Sequence, residues 1–275
     1  MPPPHDYILP AGVKVQKLPD GSLSLSDALV QLLFGARGAY DWPAGTGAAE
    51  SQQAILHLEA EIARRMQGLD EENAHHIVTL VSEWAGNNFQ SHNDIVQATP
   101  DGRVEMLNSL RLFKSLDGLA HAIYCLCRLP GIRLVIASKI FRFCCPAAGA
   151  AVDRHSSYFF NSLELISPEG RRGRATNFRR EWSNGIHTTS RLAYFTRASY
   201  YHNREEFITV YLPLLRYIAN ALNALPALYH CAATGEQKKW RPTDVDMAAY
   251  YWERQRTRRC CRPKRSGSIN LKVKF

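Results

Sequence analysis

One short stretch holds residues whose types could do chemistry, as a nucleophilic amine and a catalytic carboxylate. Between Leu126 and Tyr158 the chain reads LCRLPGIRLVIASKIFRFCCPAAGAAVDRHSSY, which places a lysine at 139 and a lone acid at 153. A carboxylate kept ionised beside a sugar stabilises the positive charge that grows as the bond breaks, or directs a water to it. A lysine amine can instead attack the sugar carbon as a nucleophile. Asp153 also has a plainer reading, since an Asp ahead of a helix is most often its N-cap. Capping and catalysis are compatible at one helix start.

The elements around these residues must place them. Residues 113–129 form a helical pattern, with Phe113, Leu116, Ala120, Ile123, Leu126 and Cys127 along one face. The LPGI turn leads to a second helix near 134–143, and a third is expected over 154–166. Gly131 permits a tight turn and close backbone approach. The N–H groups opening the second helix, around Ile132, Arg133 and Val135, can hold a phosphate. Ala137 lets the two helices pack closely.

This pattern resembles the helix-hairpin-helix DNA glycosylase superfamily, in its bacterial 8-oxoguanine glycosylase-like branch. Leu126, Leu129, Gly131, Ile132, Ala137, Ile140 and Phe141 stand at the motif's places, with Arg133 in place of its second glycine. Val152-Asp153-Arg154-His155 follows fourteen residues after Lys139, as the family's V-D-x-H does. The likeness covers about 113–165 and returns weakly near 241–252. It implies double-stranded DNA as partner, a flipped damaged or modified base, a catalytic Asp153, a monomer, no organic cofactor and a monovalent cation on hairpin carbonyls. In lyase-active members the lysine precedes the motif's alanine by two, and here that place is Val135. Two mechanisms stay open: a monofunctional enzyme using Asp153, which the missing lysine favours, or one in which Lys139, one turn or ~5.4 Å later, takes the role. Arg154 and His155 are candidate DNA contacts, and His155 is equally a packed histidine.

Charge is consistent with a polyanion partner. The 275 residues carry a net charge of +9. Arg171, Arg172 and Arg174 belong to the arginine-rich GRRGRATNFRR, and a second basic run closes the chain after 253. Base-pocket candidates are Trp84, Asn88 and Phe89 in EWAGNNFQSHN, and Trp182 in EWSNGIH. The seven cysteines lack C-x-x-C spacing, so no metal site is expected and the thiols are read as reduced, in a cytoplasm. No run is apolar enough to span a membrane.

The fold expected is all-α, a multi-helix globule. Its parts are a flexible segment over 1–20, a helical part over 21–110, the hairpin-bearing part over 111–252 and a basic tail over 253–275. Pro213 should kink or restart the helix over 205–225, and Thr243 or Asp244 should cap the last helix. Two rivals remain: an inactive DNA-binding protein on the same scaffold, and an unrelated helical interaction protein.

Overall fold

The computed structural model describes residues 9–42, 45–114, 118–182, 190–192 and 197–261. It is mostly helical. The N-terminal half contains α1 (Asp27–Gly38), α2 (Ala48–Gln67), α3 (Glu71–Trp84), α4 (Phe89–Val96) and α5 (Pro100–Phe113). Four of these starts are fixed by side chains that accept an otherwise orphaned N–H: Ser26 for α1, Asp70 for α3, Asn88 for α4 and Thr99 for α5. Among the described residues, no helix is long and apolar enough to cross a membrane.

Next come α6 (Leu119–Leu126), α7 (Leu134–Cys144) and α8 (Arg154–Ser162). Gly131, in the turn between α6 and α7, has φ +75°. A Cβ there would collide with the Ser91 carbonyl oxygen of α4. Glycine is therefore needed twice over, for its backbone angle and for the contact. The expected third helix ends early, because Glu164–Ile166 form a strand.

Short strands are the main departure from an all-helical reading. The strands β1 (Lys14–Lys17), β2 (Leu23–Leu25), β3 (Glu164–Ile166) and β4 (Arg172–Arg174) make one sheet in the order β2-β1-β3-β4. β1 runs parallel to β3, with Val15 opposite Leu165, and antiparallel to β2. Each strand is three or four residues long, too short for alternation to stand out. The segment expected to be loose thus supplies β1, and it buries Leu9, Val13 and Val15. Two small hairpins follow, β5 (Arg180–Trp182) with β6 (Ser190–Leu192), and β7 (Tyr229–His230) with β8 (Gln237–Lys238).

The Pro213 expectation holds in an unforeseen form. α9 (Arg197–Glu206) passes through a π-helical turn, Phe207–Tyr211, into α10 (Leu212–Asn223), with Pro213 in the first turn of α10. The widened turn accommodates a residue that has no N–H to give. The last helix, α11 (Pro242–Cys261), starts with proline rather than a cap residue. Asp244 sits two residues later and accepts from the Arg241 N–H at 2.9 Å. α11 packs against α1, α8 and α10. Phe159, Phe160 and Tyr211 are fully buried beside α11, and Phe141 and Phe143 are fully buried where α7 meets Phe113 and Trp84, each side chain contributing ~1.5–3 kcal/mol by burial.

Candidate active site

A cavity of about 640 Å³ opens where α3, α7, α8 and α11 converge, within the range of small-ligand sites. Lys139, Val135 and Arg142 enter it from α7, Asp153 and His155 from α8, and Asp246 and Tyr250 from α11. Trp84 closes one side from the end of α3, beside Tyr40 and Trp42.

Asp153 is both a cap and a cavity carboxylate. Its Oδ1 accepts the His155 N–H at 2.7 Å and the Ser156 N–H at 3.0 Å, while Ser156 Oγ accepts the Asp153 N–H at 3.0 Å. This reciprocal pair fixes the start of α8. Oδ2 takes no hydrogen bond from any described residue, so one carboxylate oxygen is left for a ligand.

Ser138 fixes the distance between the two halves of the site. Its Oγ accepts the Val152 N–H at 3.1 Å and donates to the Val135 carbonyl at 3.0 Å. Ser138 precedes Lys139 and Val152 precedes Asp153, so one hydroxyl ties α7 to the start of α8. Gly149 completes the fold-back, since a Cβ there would press on the backbone of Phe141, Arg142 and Cys145 at 2.9 Å.

The Lys139 ammonium makes no ion pair or hydrogen bond with a described residue. Its Nζ lies 5.7 Å from the centre of the Trp84 ring. Desolvation lowers its pKa, against the opposing pull of Asp153 and Asp246. A lysine so placed keeps a larger neutral, nucleophilic fraction.

Asp246 was not among the residues singled out in the sequence. It is 6% exposed, and burial together with the nearby Asp153 raises its pKa to about 7. Its Oδ1 is 2.7 Å from the Tyr211 hydroxyl, which also lies 3.0 Å from the Ala151 carbonyl oxygen. One hydroxyl proton cannot serve both. With Asp246 protonated, the acid donates to Tyr211 and Tyr211 donates to Ala151, so each group is satisfied. The i,i+4 pair Asp246 and Tyr250, on one face of a helix opened by a proline, was the available signal.

Other expectations fare unevenly. Arg133 and Arg154 are exposed at the cavity edge. No side chain caps α7, and the Leu134 and Val135 N–H groups lack acceptors among the described residues, so this helix start remains open to an anion. Ile132 is different: its side chain is buried and its N–H is held by the Leu129 carbonyl at 3.2 Å. It cannot contact a phosphate. His155 is 7% exposed and packs edge-on against Tyr250 at 5.3 Å, so the packed reading prevails. Asn88 lines the cavity, yet its side chain is engaged as the α4 cap. Phe89 does not line the cavity and is 85% exposed. Arg171, Arg172 and Arg174 lie on and beside the exposed β3–β4 hairpin, away from the cavity lining. The Trp182 side chain lies outside the described residues. The late basic run is partly internal: Arg254 is buried, paired with Asp41 at 3.2 Å.

The hairpin turn does not offer a ring of free carbonyls. Those of Leu126, Cys127, Leu129 and Gly131 already accept from Leu129, Tyr200, Ile132 and Asn87. A carbonyl oxygen has a second lone pair, and no cation enters the chemistry below. Comparison with protein-family models, curated proteins and solved structures finds no match.

Proposed function

We propose that the chain is a helix-hairpin-helix DNA glycosylase that binds duplex DNA, extrudes a damaged or modified base and cleaves its N-glycosidic bond. The observation that carries this reading is the convergence of Lys139 and Asp153 in one cavity whose edge is the uncapped start of α7. A phosphate bound at the Leu134 and Val135 amides, beside Arg133, would hold the backbone of the strand whose nucleotide enters the cavity. Trp84 and Tyr250 supply aromatic surface for the flipped base. Phe89, exposed at the start of α4 next to the cavity-lining Asn88, is suited to wedge into the gap the base leaves.

The unpaired, desolvated Lys139 shifts the mechanism toward the lysine route. Neutral Lys139 attacks the sugar C1′, and the electron pair of the glycosidic bond leaves with the base. Protonated Asp246 lines the same cavity and can give its proton to that departing base, the Tyr211 hydroxyl then turning to donate to the carboxylate left behind. Asp153 faces the positive sugar and can take the proton that the new C1′–N linkage sheds. The linkage then opens the sugar to an imine, which permits strand cleavage.

A cleavage panel tests the reading. Labelled duplexes carrying 8-oxoguanine, uracil, alkylated purines or mismatches are incubated with the protein and scored for abasic sites and for direct nicking. Base release from one class, lost in Asp153→Asn, is expected. Tight duplex binding with no base release on any substrate would instead favour an inactive DNA-binding scaffold, the reading to which Val135 at the usual lysine position points.

A further inference from the structure

We propose that the protein has a second, separate site that binds a phosphate group, in a small pocket beneath the β7–β8 hairpin. The pocket encloses about 170 Å³. That suits a single tetrahedral anion and is below the range of drug-sized ligand sites. Its cationic walls are Arg37 from α1, Lys238 and Lys239 from the hairpin, and Arg241 just before α11. Among the described residues, no carboxylate lines it.

The charges beneath the pocket are unbalanced. Arg37 and Arg241 share one carboxylate, Asp244, at 2.9 and 3.0 Å. Glu59 is divided between Arg241 at 3.0 Å and Arg142 at 3.3 Å. Three guanidiniums therefore rest on two carboxylates before either lysine is counted. Lys239 has no ion pair with a described residue, and Lys238 reaches only the exposed Glu236, at 4.0 Å.

Arg37 supplies an independent indication. It is 3% exposed, its Nε and Nη2 donate to Asp244, and its buried Nη1 has no acceptor among the described residues. Arginine cannot shed its charge to relieve this, and an unmet buried donor costs ~1–3 kcal/mol or more. Cys231 also lies in the wall. Burial pushes its thiol up, but the Thr234 hydroxyl, the neighbouring backbone N–H groups and Lys238 outweigh that and lower it. Burial raises Cys125, Cys127 and Cys145 to about 11. The pocket gathers four cations with no carboxylate among its described lining, and Arg with Lys is the side-chain set that phosphate recognition uses.

The phosphate can belong to a small free molecule or to a DNA backbone. Calorimetric titration of the full chain with inorganic phosphate tests the site and separates the sources. The variants are Lys238→Ser with Lys239→Ser, and, as a control of equal charge, Lys14→Ser with Lys17→Ser on β1. One phosphate per chain is expected, with affinity at least tenfold weaker in the hairpin variant and unchanged in the control. Displacement of phosphate by a duplex lacking terminal phosphates would assign the group to the DNA backbone, and its persistence would assign it to a free phosphate. Absence of saturable uptake, or equal weakening in both variants, would overturn the proposal. None of these outcomes depends on base excision.

Discussion

Asp153 and Asp246 reach the same cavity from two helices, and Asp246 is tuned to hold a proton near neutral pH. Asp246 is buried against Tyr211 at 2.7 Å and titrates at about 7, with Asp153 one of the causes.

The first expectation concerns pH. Base release requires neutral Lys139, which becomes commoner as pH rises, and protonated Asp246, which becomes scarcer above about 7. The rate should follow a bell with one of its two inflections near pH 7. Asp246→Asn should abolish the fall at high pH and lower the rate at pH 6 by about 10²-fold, within the range for general acid catalysis. An unchanged alkaline limb in the variant would remove Asp246 from the reaction.

The same carboxyl makes a claim about stability. Its folded pKa lies above the unfolded value, so between about pH 4 and 7 the folded state binds more protons and stability falls as pH rises. Above 7 the folded state bears the whole penalty of the buried charge. Asp246→Asn should therefore gain on the wild type as pH rises through this window, by an amount on the order of a few kcal/mol. Urea unfolding at pH 4.5 and 8 measures it.

Asp153 separates its two roles by substitution. Asparagine is also a good N-cap, so Asp153→Asn should keep the melting temperature while losing activity. Asp153→Ala should lose activity and about 1 kcal/mol of stability. Parallel melting and activity measurements decide, and a drop in activity that merely tracks stability would leave the residue a cap alone.

The interaction of Gly131 with α4 is a prediction about the turn. Gly131→Ala places a Cβ on the Ser91 carbonyl oxygen at φ +75°, so a loss of at least ~1–3 kcal/mol is expected. Phe89→Ala should leave stability alone, since the ring is 85% exposed. It should slow base release from paired duplex more than from a bulged or mismatched one.

The turn at Gly131, the helix that carries Lys139 and the Asp153 cap of α8 were legible because their determinants are local: a glycine, a helical pattern, an Asp before a polar helix start. Asp246 was hidden because its character comes from burial against Tyr211 and Asp153, residues 35 and 93 positions away. The β1–β3 pairing was hidden for a related reason, since it joins residues 14–16 to residues 164–166 through very short strands. Ile132 and Arg254 were misjudged because motif position and charge say nothing of which atoms are already bonded.

The most direct measurement needs no knowledge of the base. A duplex bearing a single abasic site is incubated with the protein and sodium borohydride, and the covalent adduct is mapped by peptide mass spectrometry. The proposed mechanism predicts one adduct on Lys139, abolished in Lys139→Gln and retained in Lys238→Ser. No adduct, or an undiminished one in Lys139→Gln, would contradict it.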